Sequence, residues 1–240
     1  MPTELIVALD YSDTESALAL VDRLHSSVDF YKVGLELFIK EGHAVLPKLK
    51  ERGKKIFLDL KIHDIPNTAK QAVLSAASYD VDIIDVHVQG GLEMMSEAQT
   101  ALTEYAAKTG KPKPALIGVT LLTSLDGEHL KRFRFMVDKP LDYVTQLALL
   151  AEQAGLDGVV ASPNETAAVK MATRQGFITV TPGIRLDGDE LGDQKRVMTP
   201  EEAAKTGTDY IVVGRPVTRA ADPLKACHEI ISRLKVGSLS

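Results

Sequence analysis

The stretch LDLKIHDIPNT, residues 58–68, sets Asp59, Lys61 and Asp64 where an apolar segment ends. Charges are buried only when paired. Three of them at the end of a run with Ile56, Phe57, Leu58 and Leu60 therefore mark either a surface turn or a charged site. Asp59 and Lys61 are two residues apart and face one side of a strand. Upstream, FYKVG carries Lys32 on the preceding predicted strand, which can lie beside them. Lys32, Asp59, Lys61 and Asp64 then form an alternating network in which every charge has an opposite neighbour, and burial becomes tolerable. Such a network keeps a lysine protonated and aimed at one point. It suits stabilising a developing negative charge and then donating a proton to it.

A second group of residues suits phosphate. In VVGRPVTRA, Gly214 admits close backbone approach and Arg215 opens the last predicted helix, whose first amides favour anions. TPGIR adds Gly183 and Arg185. The following segment, 186–200, is polar and glycine-bearing, as either a mobile lid or an ordinary surface loop would be. Asp10, Thr120, Thr123 and Ser124 stand at or just beyond other predicted strand ends. Taken singly, each has a bland alternative as a helix cap or a solvated side chain. His63 and His87, with Asp85 nearby, lack the i, i+4 helical spacing of a metal site and read as structural histidines, so no metal is expected.

Something must bring these scattered positions together. Short β-branched runs predict strands at 5–10, 30–33, 55–60, 83–86, 116–120, 158–161, 178–181 and 210–213. Amphipathic segments predict helices at 12–25, 35–51, 66–79, 92–109, 141–154, 165–175, 201–206 and 216–234. Ser12 and Thr199 are candidate caps, and Pro66 fits a first helical turn. Eight strand–helix units without a linker predict one α/β domain over 1–240, a (β/α)₈ TIM barrel. A doubly wound sheet fits less well, because ALDYSD follows the first strand in place of G-x-G-x-x-G. In barrels the C-terminal strand ends carry the chemistry, and the loops after strands seven and eight carry phosphate. Both groups of residues fall there.

Composition narrows the partners. The chain has 240 residues, 45% hydrophobic and 25% charged, enough for a sizeable core. A net charge of −5 without a basic stripe argues against nucleic acid. No run is long enough for a membrane helix, and MPTELIVALD lacks the basic and apolar regions of a signal peptide. The single cysteine, Cys227, excludes an internal disulfide and reads as a buried thiol in the last helix. A cytoplasmic location is expected.

D-x-K-x-x-D followed by I-P-N-T, with Y-K-V-G upstream and T-P-G-I-R and V-G-R-P downstream, resembles the orotidine 5′-monophosphate decarboxylase family from Asp10 to about Arg219. The ten residues DLKIHDIPNT are the specific part; V-G-R-P alone would be weak. The resemblance implies a cofactor-free conversion of orotidine to uridine monophosphate in pyrimidine biosynthesis, by a homodimer of barrels with shared sites. It implies that Lys61 protonates C6, that Asp59 lies beside the departing carboxylate, and that Lys32 links the network. Asp64, Ile65 and Thr68 would enter the partner's site. Asp10 would bind ribose, Thr123 or Ser124 would read the pyrimidine, and Pro182 would pack near it. Arg185, Gln194, Gly214 and Arg215 would hold phosphate. Two rivals remain: a magnesium-dependent sugar-phosphate decarboxylase or aldolase on a similar barrel, and a non-catalytic nucleotide-phosphate binder. A lysine facing the site disfavours the first, and the complete charge network has no use in the second.

Overall fold

Strands buried on both faces need helices outside and a filled interior, and both are present. The computed structural model of the chain describes residues 2–133, 137–186 and 196–238. The strands are β1 (Glu4–Ala8), β2 (Phe30–Gly34), β3 (Lys55–Ile62), β4 (Ile83–His87), β5 (Ala115–Val119), β6 (Gly158–Val160), β7 (Ile178–Thr181) and β8 (Tyr210–Val213). They pair in parallel in chain order, and β8 closes on β1, so the barrel prevails over the doubly wound sheet. The helices are α1 (Thr14–Leu24), α2 (Leu35–Glu41), α3 (Val45–Glu51), α4 (Pro66–Ala77), α5 (Gly91–Thr109), α6 (Gly127–Arg132), α7 (Pro140–Gln153), α8 (Pro163–Ala172), α9 (Pro200–Lys205), α10 (Arg215–Thr218) and α11 (Pro223–Ser238).

Local chemistry explains where the helices differ from expectation. Asp13, not Ser12, caps α1, its carboxylate accepting the Ser16 N–H at 2.7 Å. Thr199 caps α9 reciprocally with Glu202, and Pro66 opens α4. The helix expected over 35–51 breaks where Gly42 takes φ 64°, the left-handed region that glycine enters at little cost. The helix expected over 216–234 is two, α10 and α11, so the segment after β8 begins with a single four-residue turn.

Alternation along the strands sorts the core into two parts. Ile6, Ala8, Phe30, Phe57, Ile83, Ile117, Val180 and Val212 point inward and fill the barrel. Phe30 and Tyr210 meet edge-on at 5.6 Å within that filling. The residues between them on each strand, such as Val7, Tyr31, Leu58 and Ile84, pack outward against the helices.

At the N-terminal rim, closure is reinforced by a repeated device. Asp29, Asp82, Asp157 and Asp209 each precede an even-numbered strand. Their backbone oxygens accept the first N–H of the next odd strand, from Lys55, Ala115, Ile178 and Glu4, at 2.8–2.9 Å. The carboxylates of Asp82, Asp157 and Asp209 reach the other way, to the N–H of Ile56, Leu116 and Thr179, at 2.7–2.8 Å. Each of the four also holds a lysine: Lys54, Lys50, Lys113 and Lys170 respectively. Asp209 thus ties β7 through its side chain and β1 through its backbone, across the point of closure. Asp209→Ala is expected to destabilise the fold by about 3 kcal/mol, because it strands a backbone N–H and a part-buried ammonium. Asp29→Ala, whose side chain is 72% exposed, is expected to cost less than about 1 kcal/mol. Urea titration of both variants checks the contrast, and equal losses would refute it.

Candidate active site

The polar floor of the site lies one step above the apolar filling. Two residues beyond Ala8, Phe30, Phe57 and Ile83 stand Asp10, Lys32, Asp59 and Asp85, and all four line one cavity of about 530 Å³ at the C-terminal end of the barrel. Lys32 Nζ is 3.0 Å from Asp10 Oδ1 and 3.3 Å from Asp59 Oδ2. Lys61 Nζ donates a short hydrogen bond to Asp59 Oδ1. The order in space is Asp10–Lys32–Asp59–Lys61. Burial alone would raise the Asp59 carboxyl, but the Lys32 and Lys61 ammonium groups outweigh it and bring it down to about 2. Burial would likewise lower Lys32, and the Asp59 and Asp10 carboxylates more than offset it. Asp59 and Lys32, at the middle of the row, are therefore both charged at neutral pH.

Room for the Lys32 ammonium comes from Gly34: a Cβ there would stand 2.6 Å from Lys32 Nζ and 3.5 Å from Asp10 Oδ1. Lys61 owes its direction to a bulge. From Leu58 to Ile62 β3 advances four residues while β4 advances two, from Ile84 to Val86. Lys61 sits inside this irregularity at φ 51°, a region that side-chain-bearing residues rarely enter. Its N–H, lost to the ladder, is taken by Asp85 Oδ1 at 2.8 Å.

The other expected residues divide between inside and outside. Thr123 is buried and Ser124 exposed, and both line the cavity with Pro182, Gly183, Arg185, Gly214 and Arg215. Glu36, Thr218 and Arg219 line it too. Because α10 is one short turn, its helix dipole is small, and the positive character there comes from the arginines and local amides. Asp64, Ile65 and Thr68 are exposed and stand outside this cavity, with Ile65 68% exposed. Asp64 accepts the Ile65 N–H at 2.7 Å and joins no ion pair among the described residues. Within one chain, Asp10 takes the place in the network that the spacing gives to Asp64. Gln194, and most of the expected lid, lie outside the described residues.

Three contributors are not among the expected site residues: Gly34, Asp85 and Arg196. Arg196 is buried, pairs with Glu165 at 2.7 Å, and donates to the carbonyls of Leu121 and Leu122 at 2.9 and 3.0 Å. It thereby fixes the backbone just before Thr123. His63 and His87 lie with ring centroids 5.3 Å apart. Burial, reinforced by the neighbouring His63 and Lys61, lowers His87. The described residues contain no group of three or more side chains suited to a metal. Burial pushes the Cys227 thiol up to about 12, so it is inert.

Residues 3–230 match the model of the orotidine 5′-phosphate decarboxylase / HUMPS family. The chain belongs to that family. Orotidine 5′-phosphate decarboxylase from Nostoc sp. is 46% identical over 231 residues, 96% of this chain and 97% of the relative. That from Moorella thermoacetica is 45% identical over 233 residues, 97% and 92% of the two chains. The crystal structure of orotidine 5′-phosphate decarboxylase from Lactobacillus acidophilus superposes with a TM-score of 0.84 at 36% identity, covering 97% of this chain and 99% of its own. Members of the decarboxylase family thus share both the sequence and the barrel over almost their full lengths. Among the described residues no helix is long and apolar enough to cross a membrane.

Proposed function

We propose that this chain decarboxylates orotidine 5′-phosphate to uridine 5′-phosphate in pyrimidine biosynthesis, as a cofactor-free cytoplasmic homodimer in which Lys61 is the proton donor. Membership of the family supports the reaction. The observation that carries the mechanism is the alternating row Asp10–Lys32–Asp59–Lys61, in one cavity with Arg185 and Arg215. As the bond from C6 to the carboxylate breaks, its electron pair stays on C6 and carbon dioxide leaves. The Lys61 ammonium stabilises that pair electrostatically and then gives a proton to C6; solvent restores the lysine. Fixed charges in a part-buried site act more strongly than the same charges in water.

The remaining roles follow the family motif. Asp10 holds ribose, Thr123 reads the pyrimidine with Ser124 at the rim, and Pro182 packs near it. Arg185, Gly214, Arg215 and Gln194 hold phosphate. Asp64, Ile65 and Thr68, exposed on this chain, reach the partner's site. Binding energy from the phosphate, remote from the reacting carbon, contributes to closing the site over the base.

The magnesium-dependent alternative meets an obstacle in the same row. Lys32 Nζ already occupies the point between the Asp10 and Asp59 carboxylates that a divalent cation would need. The deciding experiment is incubation with orotidine 5′-phosphate in excess chelator, following loss of substrate absorbance and formation of uridine 5′-phosphate. Undiminished turnover is expected. A magnesium requirement would transfer the assignment to the metal-dependent sugar-phosphate enzymes, and saturable binding without turnover would leave a nucleotide binder.

A further inference from the structure

Asp85 is a carboxyl group with no exposure to solvent, at the cavity end of β4. A charge buried so completely has to be compensated or removed. Oδ1 is satisfied by the Lys61 N–H at 2.8 Å. Oδ2 meets no hydrogen-bond donor among the described residues, but the Asp59 carboxylate is within hydrogen-bonding reach. Two carboxyl groups can bond only when one carries a proton. Asp59 faces two ammonium groups and stays ionised, whereas burial and the neighbouring Asp59 charge push Asp85 well up. The charges acting on Asp85 come from β3, as Asp59 and Lys61, while β5 opposes it with Ile117 and its own strand continues to His87.

We propose that Asp85 is a positioning residue for proton transfer: Oδ1 pins the bulge that turns Lys61 into the cavity, and Oδ2, as a donor, braces Asp59. Lys61 stands inside the bulge at a φ of 51°, and there its N–H bonds the Asp85 side chain in place of the ladder. Asp59 in turn sets the Lys61 ammonium through their short contact. One carboxyl group thus fixes both ends of the lysine, its backbone directly and its Nζ through Asp59. The inference rests on Lys61 being the proton donor.

Asparagine reproduces both bonds, Oδ1 accepting from Lys61 and Nδ2 donating to Asp59; alanine reproduces neither. The test compares Asp85→Ala and Asp85→Asn with wild type for kcat, KM, uridine 5′-phosphate affinity and melting temperature. Asp85→Val replaces the alanine variant if that one does not fold. Asp85→Ala is expected to lower kcat about 100-fold, the scale of an ångström of misplacement, with nucleotide affinity within about threefold of wild type. Asp85→Asn is expected to keep kcat within about threefold. An apolar variant that melts lower with kcat unchanged reveals a merely structural residue and overturns the proposal. An asparagine variant as slow as alanine also overturns it.

Stability gives an independent reading. A carboxyl group raised on folding contributes stability below its ordinary pKa of about 4 and loses it as pH rises. Asp85→Asn should therefore melt higher than wild type at neutral pH, with the gap closing toward about pH 4. A variant that melts lower at neutral pH overturns the donor role of Oδ2. Lys61→Ala serves as control: if it retains activity, the proton-donor reading itself fails. If it is inactive while the apolar Asp85 variant is fully active, the positioning role alone fails.

Discussion

Lys61→Ala is expected to lower kcat by about 10⁴-fold or more, because one side chain supplies both electrostatic stabilisation and the proton. Folding should survive. Lys61 is partly exposed, and its removal leaves Asp59 still paired with Lys32 at 3.3 Å. Uridine 5′-phosphate should bind nearly as before, since Arg185, Arg215 and Thr123 line the cavity independently of Lys61. Lys61→Arg should not restore activity, because a guanidinium keeps the charge but is a very weak acid. Acid stability adds a second reading. Asp59 is depressed to about 2 by Lys32 and Lys61 against its burial, so its contribution is present above the ordinary carboxylate pKa and lost as pH falls toward 2. With one ammonium gone the depression shrinks, and that contribution is lost at higher pH. Single-turnover rates, nucleotide binding and acid titration check these outcomes together. Turnover near wild type would remove Lys61 from the mechanism.

The central part of this arrangement was legible because period-two alternation is a strong local rule. Lys32 and Asp59 do meet from neighbouring strands, and Lys61 does line the same cavity, although it sits in the β3 bulge and not on a regular strand. The same rule applied one strand further would have added Asp85, two residues beyond inward-facing Ile83. What it could not give is the bond from Asp85 to the Lys61 N–H, which exists only because β3 bulges there. Spacing also placed Asp64 in the network, whereas the chain turns away after Ile62 and the fourth charge comes from Asp10, two residues beyond β1. Arg196 and Glu165 are 31 positions apart in sequence and meet only through the folding of the barrel. Among helix ends, Asp13 and Ser12 were equally good cap chemistry, and the backbone geometry selects between them. Long-range pairing and irregular backbone, then, are what the residue pattern leaves open.

Asp64 bears on the assembly, and the expected result is complementation. Asp64→Ala alone should be nearly inactive, although Asp64 is exposed and lies outside its own chain's cavity. A carboxylate so placed gains a catalytic role only by entering a second chain's site, and Ile65 beside it, 68% exposed, offers apolar surface for that contact. If each site takes Lys61 from one chain and Asp64 from the other, a mixed dimer of Lys61→Ala and Asp64→Ala chains contains one site with both wild-type residues and one with neither. Random pairing puts half the dimers in this mixed form, so an equal mixture should recover about a quarter of wild-type activity by the symmetry of a twofold dimer. Refolding the two chains together and isolating differently tagged mixed dimers makes the measurement direct, and those dimers should reach about half of wild type. If verified mixed dimers remain inactive, the sites are not shared through Asp64. If Asp64→Ala is fully active by itself, the carboxylate is an ordinary turn residue, bonded to the Ile65 N–H and no more.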